Sequence, residues 1–149
     1  MIHYVKGDLL KSDCEVIVHG CNCFCTMGSG IARQVKAQFP KAYESDLTTG
    51  KGDPSKLGTY TFADYSKDDS SLFIINAYTQ FDYGRSNKVY LKYEALRSVL
   101  ESIKLDFSKD LKLGMPKIGC GLAKGDWARV EKMIEEIFTD RDIYIYELI

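Results

Sequence analysis

The chain has 149 residues, 45% of them hydrophobic and 28% charged, with 20 basic against 21 acidic side chains and a formal net charge of −1. That length suits one domain with a core of its own, the composition is not that of a disordered segment, and near-neutrality gives no general pull toward nucleic acid or anionic lipid. The longest apolar runs, such as Leu72-Phe73-Ile74-Ile75, are strand-sized rather than membrane-sized, and the opening MIHYVKGD lacks the basic and apolar stretches of an export signal. A cytoplasmic, monomeric protein folded as one domain over residues 1–149 is therefore expected. The five cysteines, an odd number in a chain without an export signal, are expected to be reduced thiols.

In chain order, Ile2 to Val5 and Glu15 to His19 are predicted as short strands, joined through the turn at Lys6-Gly7-Asp8-Leu9-Leu10. Met27-Gly28-Ser29-Gly30 then opens a helix marked by Ile31, Val35 and Phe39 and closed by Pro40. A second helix covers Lys41 to Leu47, and Gly50, Gly52, Asp53 and Pro54 punctuate a loop. Strands follow at Thr59 to Phe62 and Leu72 to Ala77. Val89, Tyr93, Leu96, Leu100 and Ile103 mark one face of a long helix. A strand at Leu111 to Pro116, a loop over Lys117 to Gly125, a helix carrying Trp127, Val130, Ile134 and Ile137, and a strand over Ile143 to Leu148 complete the chain. This alternation predicts an α/β protein, a three-layer α/β/α sandwich around a mixed, largely parallel sheet, with its ligand site at the carboxyl ends of the strands.

Two glycine-bearing loops fall at such strand ends. Met27-Gly28-Ser29-Gly30-Ile31-Ala32 leads into a helix start, where backbone amides approach a ligand closely and the helix end favours an anion. Pro116-Lys117-Ile118-Gly119-Cys120-Gly121-Leu122-Ala123 again links strand to helix. Either loop alone could be a tight turn, but two at matching positions predict a cradle for a diphosphate. No GxxxxGK[ST] segment is present, which speaks against nucleotide hydrolysis of the Walker type. Asp8 could accept from an exocyclic amine such as that of adenine, or could simply cap its turn.

Gly7-Asp8-Leu9, Gly28-Ser29-Gly30-Ile31-Ala32 and Pro116-Lys117-Ile118-Gly119-Cys120-Gly121-Leu122 together resemble the macro domain family nearly end to end. The likeness is greatest to the branch containing the ADP-ribose 1″-phosphate phosphatases and the terminal ADP-ribose protein glycohydrolase, on the strength of the second loop followed by Trp127. The resemblance implies that Asp8 takes the adenine amine with support from the Leu9 backbone, and that Tyr146 packs near adenine. It also implies that Gly28, Ser29, Gly30 and Ile31 with Gly119, Cys120, Gly121 and Leu122 wrap the diphosphate and ribose, and that Asn22 faces the distal ribose. Two positions depart from the glycohydrolase pattern. Ala77 aligns with its attacking lysine and Ala123 with its catalytic aspartate, so a lysine-adduct route is not expected.

The remaining candidates for chemistry are His19, which ends a strand and could act as base, acid or nucleophile near neutrality, and Asp126, which could orient it or position water. A hydrogen-bonded strand-end histidine and a helix N-cap are the plainer alternatives for the two. The one-residue gaps between Cys21, Cys23 and Cys25 fall short of zinc-ligand spacing, and no metal or cofactor is expected. Tyr83 or Arg85, in the loop after the central strand, could close over a ligand. The leading reading is an enzyme that binds ADP-ribose and hydrolyses the terminal phosphate of ADP-ribose 1″-phosphate. The alternatives are a mono-ADP-ribosyl hydrolase acting on modified protein or nucleic acid, and a non-catalytic ADP-ribose reader.

Overall fold

The computed structural model describes residues 1–84 and 86–148. They form six strands in the spatial order β1-β6-β5-β2-β4-β3 and four α-helices. In chain order these are β1 (Ile2–Lys6), β2 (Val16–Cys21), α1 (Gly30–Gln38), α2 (Pro40–Leu47), β3 (Tyr60–Asp64), β4 (Phe73–Tyr78), α3 (Tyr93–Asp106), β5 (Leu113–Met115), α4 (Trp127–Ile137) and β6 (Ile143–Glu147). All neighbouring strands pair in parallel except β3, which runs antiparallel to β4 at one edge. The expected mixed, largely parallel sheet is thus present.

Helices cover both faces of the sheet, and strand alternation sends residues to each. Val16 and Val18 of β2 and Ile75 and Ala77 of β4 pack with Leu96, Val99, Val130 and Ile134 of α3 and α4. On the other face, Ile17, Cys21, Ile74 and Tyr78 pack with Val35 of α1 and Ala42 of α2. β2 is consequently buried on both sides, which explains its near-continuous apolar sequence.

One helix boundary differs from the sequence reading. The periodic pattern begins at Val89, yet α3 starts at Tyr93 and Val89 is exposed. The reason lies in the backbone of the preceding segment. Tyr90 N and Leu91 N both donate to Ala123 O at 2.8 and 3.2 Å, and Lys92 N donates to Thr79 O at 2.8 Å. Leu91 bridges Gln80 in an antiparallel pairing and Lys92 is extended (φ −103°, ψ 104°), so helical backbone begins only after them.

Gly114 in β5 shows how closely the layer on the α1 face approaches the sheet. A Cβ there would lie 2.5 Å from Cys14 Sγ and 3.0 Å from Leu9 Cδ1. Gly114→Ala should therefore destabilise the protein by about 1–3 kcal/mol through overpacking. Urea denaturation checks this; an unchanged midpoint would contradict the packing described.

Candidate functional site

Two loops leave the carboxyl ends of β2 and β5 and face each other across a cleft of about 340 Å³. The loop after β2 is coiled by left-handed backbone at Cys25 (φ 58°), Met27 (φ 40°) and Gly30 (φ 58°). Non-glycine residues adopt this conformation at a cost of roughly 1 kcal/mol each, which structures tend to tolerate at functional sites. Asn22 braces the coil, its Nδ2 donating to Thr26 Oγ1 at 2.7 Å and its Oδ1 accepting from Phe24 N at 2.8 Å. At the start of α1, the Ser29 side chain makes no capping hydrogen bond. First-turn amides have no intrahelical partner, and with Ile31 and Ala32 lining the cleft these amides are placed to receive an anion.

The second loop is held by the segment before α3. Gly119 has φ 74°, and a Cβ on it would sit 2.7 Å from Leu91 Cδ1. Gly125 N donates to Gly119 O at 2.8 Å, closing the loop on itself. Gly121, by contrast, would carry a Cβ with no atom within 4 Å, so it faces open space in the cleft. Lys117 also lines the cleft, but its ammonium is engaged with Glu147 at 2.8 Å. Among the described residues, no cationic side chain other than Lys117 lines the cleft, so backbone amides are the donors placed around it.

Among the residues expected to hold a ligand, Asn22, Gly28, Ser29, Gly30, Ile31, Gly119, Gly121 and Leu122 line this cleft. Asp8, Leu9, Cys120 and Tyr146 do not. Asp8 lies just beyond β1, on the same edge of the sheet, and caps a 3₁₀ turn by accepting from Leu10 N at 3.0 Å. The Leu9 side chain is buried in the core, and Tyr146 packs against the same core from β6. Burial and the nearby Asp126 carboxylate push the Cys120 thiol up to about 11, so it remains protonated at neutral pH. Tyr83, 57% exposed, stands at the mouth of the cleft, whereas Arg85 lies outside the described residues.

Both residues expected to be catalytic are placed elsewhere. His19 does not point into the cleft. It is 0% exposed and sits beneath the sheet surface facing α1 and α2, where its Nε2 meets Asn76 Oδ1 at 2.7 Å. Asn76 Nδ2 donates to Ala42 O at 2.8 Å, which leaves Asn76 Oδ1 as acceptor and His19 Nε2–H as donor. Burial lowers the imidazole to about 4, only partly opposed by Asn76, so it is neutral at physiological pH. Asp126 is exposed and caps α4, accepting from Ala128 N at 3.1 Å, and it does not line the cleft. Ala77 faces α3 from within β4 and cannot reach the cleft either, whereas Ala123 lines it.

Sequence reasoning missed Asp46 and Gln80, both of which line the cleft. Asp46 could have been noticed, because it shares the buried face of α2 with Ala42 four residues earlier, and a carboxylate on a core face calls for explanation. Gln80 lies two residues beyond the end of β4, the place where such sheets present ligand contacts.

A sequence model of the Macro domain family matches residues 18–134, and the chain belongs to the macro domain family. It is 37% identical over 153 residues to an uncharacterized 17.5 kDa protein of the tk-vs intergenic region of Enterobacteria phage T4, covering 99% of this chain and 96% of that protein. It is 29% identical to an ADP-ribose 1″-phosphate phosphatase of Candida glabrata, covering 99% of this chain and 98% of that one. It matches a DNA ADP-ribosyl glycohydrolase of Mycobacterium tuberculosis at 29% identity over 98% of this chain, but spans 42% of that protein. Among solved structures, the macrodomain of Mycobacterium tuberculosis DarG superimposes with a TM-score of 0.78 at 27% identity, covering 98% of this chain and 97% of that one.

The buried imidazole has a measurable consequence. Unfolded, His19 titrates near 6.5, and folded near 4. Above the higher value both states are neutral and His19 contributes nothing. Below it the unfolded chain takes up a proton that the folded chain refuses, so stability falls as pH drops, by about 1.4 kcal/mol per pH unit, until the lower value is reached. His19→Gln retains a donor to Asn76 but does not titrate. Its urea midpoint should fall less between about pH 7 and about pH 5 than that of the wild type; equal falls would show that His19 is not the responsible group.

Proposed function

We propose that the protein binds ADP-ribose in this cleft and hydrolyses the terminal phosphate of ADP-ribose 1″-phosphate. The observation that carries the binding half is the pair of glycine loops, with open space at Gly121 and an uncapped α1 start facing across about 340 Å³. Their free amides suit a diphosphate, which needs many donors converging from two sides and gains from the helix start. Asp8 and Tyr146, on the same sheet edge beyond the cleft, are the residues proposed to meet the adenine.

The phosphatase half is supported by the Candida glabrata relative, which matches along almost its whole length and whose name states that activity. A second reading, removal of ADP-ribose from a macromolecule, is supported by the mycobacterial DNA ADP-ribosyl glycohydrolase. The absence of His19 and Asp126 from the cleft lining favours neither reaction over the other and leaves chemistry to the groups that do line it. Both readings share one requirement, that ADP-ribose binds between the loops.

Calorimetry with ADP-ribose tests that requirement, and phosphate release from ADP-ribose 1″-phosphate, set beside ADP-ribose release from modified DNA and protein, separates the reactions. Gly121→Glu should fold normally because no atom crowds that position. It puts a carboxylate where the diphosphate would lie, and should weaken ADP-ribose binding at least tenfold, a cost of about 1.4 kcal/mol or more, with an unchanged melting temperature. Wild-type protein that gives no heat with ADP-ribose would contradict the proposal.

A further inference from the structure

The loop after β2 carries a cysteine in contact with a lysine, and neither residue lines the cleft. Lys56, at the end of the 3₁₀ turn Pro54–Lys56 between α2 and β3, is 6% exposed. Its Nζ donates to Cys23 O at 3.1 Å and to Cys25 Sγ at 3.5 Å, and lies 4.8 Å from the centre of the Tyr78 ring. Among the described residues no carboxylate forms an ion pair with it. A buried cation without a paired counter-charge is costly, so a lysine kept in this position calls for explanation.

The sulfur is held from a second side. Cys25 has left-handed backbone, and its Sγ lies 3.3 Å from Asp46 O and 3.5 Å from Thr49 Oγ1, so the end of α2 fixes it against the lysine. Cys25 also differs from the other four thiols. Cys14, Cys21 and Cys23 are buried, and burial pushes each of them up, as it does Cys120. Cys25 is half-buried and touches an amine. Access for an oxidant and a second nucleophile in contact with the sulfur are the two conditions for reversible capture of an oxidised cysteine.

We infer that Cys25 and Lys56 form a peroxide-sensitive modification site, in which the oxidised sulfur is captured by the lysine amine as a sulfenamide. Peroxide passes one oxygen to the thiol, giving Cys25 sulfenic acid and water, and the sulfur loses two electrons. Lys56 gives a proton to solvent and its nitrogen attacks the sulfur. The S–N bond forms, the S–O bond breaks, and the departing oxygen takes a proton from nitrogen and leaves as water. Burial favours this product, because a neutral nitrogen replaces a buried charge. An added thiol reverses the link, first displacing the amine from sulfur as a mixed disulfide and then, with a second thiol, releasing Cys25. The link ties the cleft loop after β2 to the turn before β3, whatever ligand the cleft takes.

The test is mass spectrometry of tryptic peptides from the folded wild-type protein after treatment with hydrogen peroxide and blocking of the remaining thiols. Residues 12–33, which carry Cys25, should appear joined to residues 52–67, uncut after Lys56 and lighter than the two together by two hydrogens. The free peptide 52–56 should fall at least fivefold, and dithiothreitol before digestion should restore it. Lys56→Arg keeps a cation but holds its protons, so peroxide should leave Cys25 as a sulfenic acid that dimedone labels, with no joined peptide. Cys25→Ser should also give no joined peptide, which keeps the inference testable if Lys56→Arg does not fold. Wild-type Cys25 that stays a free thiol, or that passes to sulfinic acid while trypsin still cuts after Lys56, would overturn the inference. So would a joined peptide that persists in Cys25→Ser.

Discussion

β2 and β5 lie side by side and run in the same direction, yet the chain leaves them toward opposite faces of the sheet. The loop after β2 turns toward α1, and the loop after β5 turns toward α4. Two neighbouring strands whose connections diverge must leave a crevice above their carboxyl ends, because no chain crosses it. The cleft follows from that topology. Glycines then determine how closely its walls present their amides, and the segment from Tyr90 to Lys92 holds one wall by giving its backbone donors to Ala123 and Thr79.

Beneath this crevice the layer facing α1 and α2 is unusually polar for a core. His19, Asn76 and Asp46 are buried there, and each accepts or gives hydrogen bonds within one connected series. Buried polar groups lower stability unless they are satisfied, and partly satisfied networks are costlier than apolar packing. Among the described residues the series is satisfied except at Asp46 Oδ2, which is buried without a partner. Burial pushes the nearby Cys21 thiol well up, so it is a neutral packing group.

Much of the architecture was legible in the chain because parallel strands write themselves as short apolar runs and helices as spaced ones. Val16 to Val18 and Ile74 to Ile75 are buried on both faces and read as such. The two loops were legible only as a pair, because either glycine turn alone is ambiguous whereas both fall between a strand end and a helix. The side-chain chemistry was not. His19 looked like a cleft residue because it ends an apolar strand, but strand alternation turns it with Ile17 and Cys21 toward α1 and α2, and sequence alone does not say where on that face the cleft begins. Asp126, read as catalytic with an N-cap as the plainer alternative, caps α4. Asp46 escaped notice because its partner Tyr78 is 32 residues away, and only the folded sheet brings them together.

In the proposed complex the diphosphate is held by backbone amides of the two loops. Amide proton–nitrogen NMR during titration with ADP-ribose examines it most directly. The largest shifts should fall together on Gly28, Gly30, Ile31, Gly119 and Gly121, with the amides of β3 and of the far end of α4 unmoved. Shifts confined to one loop, or centred on lysine-bearing surface away from the cleft, would contradict the account.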